Sequence, residues 1–347
     1  MGLLGLGAHV PERVMENAEW AEWVDTSDEW IRERTGIERR RVIGDDESTV
    51  DLALPAARLA IEDAGLGVDD IDEIVVATDT PEVYLPDTAA ILQHRLGARE
   101  VPAYDLGASG CAGFLQALSV ARSRVLDPDA PLDAAGDGRR ILVVGVEALT
   151  RLMNWRDRST CVLFGDAAGA AVVGRLLERG DGGEGGDGGR AGGAEIVAAT
   201  AGTDGSKAGI LTLETGGTRR PFTLEAAAAG AQHDIVMNGR EVFREAVRRM
   251  SDASQRVLAR AGHAVGDLAL VVPHQANRRI IDAVAARLGV APERVFVNVQ
   301  EYGNTGSASV PLALWEARRQ GRVRRGDLVL LTAFGAGFHW AATLLRY

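Results

Sequence analysis

The chain has 347 residues, 46% of them hydrophobic and 25% charged, with a formal net charge of −11 at pH 7. That length can bury a substantial core as one large or two medium domains, and the negative balance argues against general attraction to nucleic acid or an anionic membrane while leaving room for a local basic docking patch. Two cysteines, Cys111 and Cys161, are too few for a disulfide framework and lack zinc-type spacing.

The opening segment MGLLGLGAHVPERV reads as a strand, with neither a basic leader nor a signal-peptide core, and no apolar run is long enough to span a bilayer. A cytoplasmic protein with no membrane or nucleic-acid partner is the expectation. Residues 53–65 read as a helix ending near Gly65, followed by the apolar strand Ile74-Val75-Val76-Ala77. A polar loop, a helix ending in Arg95-Leu96-Gly97 and a short strand from Val101 come next. A small-residue segment then leads to the buried strand Ile141-Leu142-Val143-Val144.

The second part of the chain repeats this order. Residues 240–262 read as a longer helix, followed by Leu270-Val271-Val272, a loop, a helix ending in Arg287-Leu288-Gly289, a short strand from Arg294 and the buried strand Leu328-Val329-Leu330-Leu331. Uninterrupted Val/Ile/Leu strands between helices belong to a sheet covered on both faces. The repeat predicts two duplicated α/β halves, residues 1–175 and 176–347, packed together, because no Pro/Ser linker divides them. The glycine-rich stretch at 179–194 reads as a solvent loop.

Three segments carry chemistry. Cys111 lies in GASGCAGF, where small residues give way to an apolar helix. A thiolate at a helix N-terminus gains from free amides, so the sequence predicts a lowered pKa. By itself the segment suits a buried structural thiol equally well. His274, in VVPHQAN, ends a strand on the side where α/β sheets hold their active sites; Gln275 and Asn277 either orient its ring or pair with backbone. Asn304, in YGNTGSAS, has the composition of a turn or cap, yet occupies in the second half roughly the place of Cys111 in the first. The last segment, AFGAGFHW, offers backbone amides around Ala336 as an oxyanion hole.

Together, GASGCAGF, VVPHQAN, YGNTGSAS and AFGAGFHW resemble the four signatures of the beta-ketoacyl-acyl carrier protein synthase III family; TSDEWIRERTGIERRR (26–41) and FGDAAGAAVV (164–173) look like that family too. The resemblance spans the chain and implies a thiolase-like fold, five-layered as α-β-α-β-α, and a homodimer. It implies acyl transfer from an acyl-CoA primer to Cys111, followed by decarboxylative condensation with malonyl-acyl carrier protein. His274 and Asn304 would hold the enolate, and the amides of Cys111 and Ala336 the oxyanion, with Ala336 standing where the family usually has glycine. Trp30 and Arg158 match the residues that sandwich the CoA adenine; Arg34 and Asn277 fall near the pantetheine mouth, and Arg278 and Arg279 in the area where the acidic carrier docks, with Arg248 and Arg249 as further candidates. Leu85 stands where many relatives carry a phenylalanine that gates the acyl pocket across the dimer interface. No cofactor or metal is implied, CoA thioesters being substrates.

Four other readings compete. A starter-unit ketosynthase or acyltransferase of polyketide metabolism would keep the same centre. A degradative thiolase needs a second catalytic cysteine, and Cys161 reads as structural. A hydroxymethylglutaryl-CoA-type synthase needs a carboxylate base, for which Glu82 is the candidate. A carrier-binding scaffold could dispense with Cys111.

Overall fold

The computed structural model describes residues 1–107, 109–127, 138–176, 193–229 and 233–347. The glycine-rich stretch expected at 179–194 therefore lies outside the described residues except for Gly193 and Ala194. The first half runs β1 (Gly2–His9), α1 (Asp28–Thr35), α2 (Thr49–Asp63), β2 (Glu73–Thr78), α3 (Thr88–Leu96), β3 (Ala103–Gly107), α4 (Gly113–Val125), β4 (Ile141–Ala148) and β5 (Asp166–Gly174). The second runs β6 (Ala194–Thr203), α5 (Gly239–Ala261), β7 (Leu268–Pro273), α6 (Arg278–Leu288), α7 (Ser309–Arg319), β8 (Leu328–Gly335) and β9 (His339–Arg346).

The helix ends follow from local chemistry. Asp87 and Asn277 cap α3 and α6 by accepting hydrogen bonds from the third helical amide, and the glycine of each Arg-Leu-Gly run closes its helix in the left-handed conformation. Helix α2 starts earlier than the sequence suggests, at Thr49, because Asp51 accepts from Ser48 N at 2.8 Å and holds the first turn. The short strand expected from Arg294 is not formed. Pro292–Arg294 make a 3-10 turn, and only Val295 pairs, in parallel, with Val271 of β7.

Nine of the described strands form one mixed sheet in the order β7-β8-β9-β6-β1-β5-β4-β2-β3. Each half has the same arrangement: β3-β2-β4-β5-β1 in the first is matched by Val295-β7-β8-β9-β6 in the second, with parallel pairs at β2/β4 and β7/β8 and antiparallel pairs at β4/β5 and β8/β9. The halves join edge to edge where Gly2 and Leu3 of β1 meet Glu195 and Ala194 of β6.

Side-chain alternation along the strands divides the core into layers. Leu142 and Val144 of β4 pack with Ala53 and Ala56 of α2, whereas Val143 faces Phe114 and Leu118 of α4 and Val310 and Leu314 of α7. On the second half, Leu331 faces the same central helices, and Leu330 packs against Met250 of α5 and Ile280 of α6. The result is the thiolase-like arrangement of α2/α3, the first half's part of the sheet, α4/α7, the second half's part of the sheet, and α5/α6. No helix among the described residues is long and apolar enough to cross a membrane.

Phe114, 1% exposed, belongs to the layer that both sheets share. Phe114→Ala is expected to cost about 3–5 kcal/mol of unfolding free energy, measurable as a lowered urea midpoint.

Candidate active site

The loop after β3 reaches the sheet's end, and Gly110 (φ 60°) turns it into a single 3-10 turn, Gly110–Ala112, ahead of α4. Cys111 therefore sits two residues before the α-helix. Its pKa moves opposite to the sequence expectation: burial pushes the thiol well above its ordinary value, and the nearby charges of Asp79 and Glu147 add to the shift. Hydrogen bonding from its own backbone and from the Asn304 side chain pulls the other way, but less. At neutral pH Cys111 is a thiol.

His274 directly follows β7, held by its amide bonding to Thr332 O at 2.8 Å. Gln275 and Asn277 do not touch the ring; Gln275 donates to Pro273 O and Phe296 O, and Asn277 caps α6. The ring is oriented instead by Ser309, 2.9 Å from Nδ1, and by Phe334, edge-on at 5.4 Å. Ser309 Oγ already accepts from Gln275 N at 2.7 Å. Its own proton has no other acceptor among the described residues, so it goes to Nδ1, and the neutral ring carries its hydrogen on Nε2. That atom is buried and unpartnered among the described residues. Burial alone lowers the pKa of His274 to about 3.

Asn304 is pinned between both halves. Its amide donates to Leu163 O (2.8 Å) and its carbonyl accepts from Gly165 N (3.0 Å), so the first half's FGDAAG segment holds it. Asn304 Oδ1 accepts from Gly306 N at 3.0 Å. This fixes the amide's orientation and leaves its NH2 as the donor that reaches Cys111. The duplication places Asn304 less directly than the sequence suggests. Gly110–Ala112 corresponds to the 3-10 turn Gly306–Ala308 before α7, so the counterpart of Cys111 is Ser307, and Asn304 lies three residues earlier.

The AFGAGFHW segment closes the site. A Cβ on Gly335 would lie 2.4 Å from Cys111 N, and one on Gly110 2.4 Å from Ala336 N. Only glycines let these two backbones touch, which sets the Cys111 and Ala336 amides side by side. The unusual backbone of the turn falls on Gly337 (φ 127°), so alanine fits at 336. The chain then returns as β9, a strand that the sequence reading did not separate.

Cys111 and Asn304 line a cavity of about 470 Å³ together with Trp30, Arg34, Asn277, Arg158, Arg279 and Phe334. At its mouth Arg158 lies 4.7 Å over the Trp30 ring and Arg34 lies 5.4 Å from it. Arg240 also lines the mouth and was not singled out from sequence, where it reads as one arginine among many. Other candidates are elsewhere. Arg278 pairs with Asp282 outside the cavity; Arg248 is held by Glu245; Arg249 is held by Asp204 and stacks on Trp340. Leu85 is 89% exposed and does not line the cavity of its own chain. Glu82 accepts from Val50 N at the start of α2 and does not line the cavity. Cys161 is fully buried.

Residues 104–185 match the family model described as 3-oxoacyl-[acyl-carrier-protein] synthase III, and residues 258–347 match its C-terminal counterpart. Beta-ketoacyl-[acyl-carrier-protein] synthase III of Symbiobacterium thermophilum is 47% identical over 347 residues, covering 100% of this chain and 98% of that protein. The crystal structure of the synthase III of Thermus thermophilus superposes with a TM-score of 0.85 at 45% identity, covering 100% of this chain and 99% of the other. The priming beta-ketosynthase of the R1128 polyketide biosynthetic pathway superposes with a TM-score of 0.84 at 37% identity, covering 99% and 95%.

With a pKa near 3 in the fold against 6.5 in the unfolded chain, His274 remains neutral throughout the working range. Between those values the unfolded chain binds the extra proton, so the His274 contribution to stability falls as pH drops from about 6.5 towards 3. In NMR spectra the imidazole resonance that disappears in His274→Ala is expected to stay at its neutral position from pH 8 to about pH 5.

Proposed function

This chain belongs to the beta-ketoacyl-[acyl-carrier-protein] synthase III family, and on that premise we propose that it primes chain growth by condensing an acyl group with malonyl-acyl carrier protein. The observation that carries the reading is a thiol and an amide donor, Cys111 and Asn304, on the wall of one cavity, with the neutral His274 ring packed edge-on against Phe334 of the same wall.

In the first step the Cys111 sulfur attacks the acyl-CoA carbonyl, the bond to the CoA sulfur breaks, and the thiol proton leaves with CoA. The tetrahedral oxyanion faces the amides of Cys111 and Ala336. A high thiol pKa suits this order, since the proton is given up only as the carbonyl is attacked. In the second step malonyl thioester loses carbon dioxide. The electron pair forms an enolate whose oxygen accepts from His274 Nε2–H and the Asn304 amide. Its α-carbon then attacks the acyl-enzyme carbonyl, the bond to Cys111 breaks, and the thiolate regains a proton from solvent. A neutral histidine is what this step needs: it donates without having to lose a proton first.

Trp30 and Arg158 form the adenine clamp in this reading. Arg158 rests on Trp30 in the free chain, so the base binds as the guanidinium lifts to admit it. Arg34, Asn277 and Arg240 line the way to Cys111, and Arg279, with Arg278 beside it, is the docking point for the acidic carrier. A homodimer is part of the proposal; the exposed Tyr84 and Leu85 (79% and 89%) support a second copy covering that loop and Leu85 gating the partner's acyl pocket. Residues 1–175 and 176–347 are proposed as the two descendants of one duplicated unit.

Intact-protein mass spectrometry with a panel of acyl-CoAs, followed by malonyl-carrier protein and a product assay, tests the reaction. Acylation confined to Cys111 and lost in Cys111→Ala, then carbon dioxide release and a beta-ketoacyl-carrier product, is the expected result. Acylation followed by transfer to another acceptor would replace this reading with the acyltransferase one. His274→Ala and Asn304→Ala are each expected to slow condensation about 10²- to 10³-fold while leaving acylation within several-fold. Trp30→Ala is expected to raise the KM for acyl-CoA on the order of tenfold at nearly constant kcat, from the loss of base stacking.

A further inference from the structure

We propose that Asp79 is a positioning residue for Cys111, and that with Glu147 it forms a buried acid pair that must hold one proton for the thiol to react. Asp79 directly follows β2, the position in the first half that His274 occupies after β7 in the second. Its Oδ1 accepts from Gly110 N at 3.1 Å. Gly110 carries the left-handed φ that aims the next peptide, so this bond holds the turn from which both the Cys111 sulfur and the Cys111 amide are presented.

Glu147, on β4 and fully buried, ties Asp79 to the other half. Asp79 N donates to Oε1 and Oε2 at 3.2 and 3.1 Å, Thr80 Oγ1 donates to Oε2 at 3.0 Å, and Ser307 Oγ, 2.8 Å from Oε1 and 2.9 Å from Ala77 O, gives its proton to one of the two. Ser307 belongs to the loop that carries Asn304. The two carboxyls thus lie behind the nucleophile and link its turn to the enolate-holding loop.

No lysine or arginine among the described residues pairs with either carboxyl. The groups facing them are Cys111 and Gly110 N from the turn before α4, Thr80 from the loop after β2, and Ser307 from the loop before α7. Two unneutralised carboxylates cannot both ionise cheaply in such a place. Burial raises Asp79 to about 6, and burial together with the Asp79 charge raises Glu147 well above the ordinary carboxylate range. Near neutrality the pair holds one proton between its two members. As pH rises and that last proton leaves, a second negative charge opposes the thiolate.

The proposal rests on Cys111 being the nucleophile, but its test reads the thiol itself. The rate of iodoacetamide alkylation at Cys111, followed by peptide mass spectrometry from pH 5.5 to 10, gives the shift in the midpoint of thiolate formation, read as the displacement of the rising rate–pH curve, without any condensation step. Asp79→Asn keeps the oxygen that accepts from Gly110 N and removes the charge; its midpoint is expected to fall by on the order of one pH unit. Glu147→Gln makes the one-proton state permanent, and its midpoint falls in the same direction. Unshifted or raised midpoints in both variants overturn the electrostatic coupling. For positioning, the plateau rate of acylation by acetyl-CoA is compared between Asp79→Asn and Asp79→Ala, each checked for folding by thermal melting. The alanine variant is expected to lose on the order of ten- to a hundredfold relative to the asparagine one, and equal plateaus overturn that role. If Asp79→Ala does not fold, Asp79→Asn against wild type decides: a plateau within several-fold of wild type upholds positioning by the retained oxygen, and a collapse overturns it. Wild type that alkylates but never acylates would count against the proposed reaction alone.

Discussion

Everything at the centre depends on two backbones touching. Gly110 ahead of the nucleophile and Gly335 at the end of β8 approach so closely that a Cβ on either would stand 2.4 Å from the other's neighbouring amide nitrogen. That contact brings the Cys111 and Ala336 amides together, and it requires the two halves to meet within tenths of an ångström. The central layer of α4 and α7, with Phe114 and Leu314 buried between the sheets, supplies the stiffness.

Around that contact the site divides its electrostatic work. Among the described residues no positive charge acts on the Cys111 thiol, which is raised by burial and by Asp79 and Glu147. His274 is kept neutral and its tautomer set by Ser309, while Asn304 has its amide oriented by Gly306 N. The donors are dipoles fixed before substrate arrives, and in the proposed reaction they stabilise a developing oxyanion without reorganising. A charged imidazole would instead have to be desolvated or discharged in the course of the reaction.

Much of this was legible in the sequence. Strand runs, Arg-Leu-Gly helix ends and the repeated order of elements gave the layered α/β halves, because these depend on local periodicity and on glycine's access to left-handed φ. The family signatures singled out Cys111, His274, Asn304 and Ala336. The direction of the Cys111 shift was not legible: a helix N-terminus is visible in a sequence, but Asp79 and Glu147 are 32 and 36 residues away along the chain and reach the thiol only through the sheet. Ser309 escaped notice for the same reason, since its hydroxyl reads as a helix-start residue until β7 places His274 beside it. The pairing of Arg248 with Glu245 and of Arg249 with Asp204 is invisible in the sequence until the side chains are in place.

The position of β1 between β5 and β6 has a consequence for how the protein comes into being. Strand β1 can be paired on both edges only after some 190 later residues exist, since its partners are Ala168–Gly174 and Ala194–Glu195. Contacts of such long range form late and slowly. The reactive arrangement, drawing on residues from 79 to 336, is therefore absent from an emerging or half-folded chain, in which Cys111 is an ordinary thiol with no acyl-transfer chemistry to misdirect.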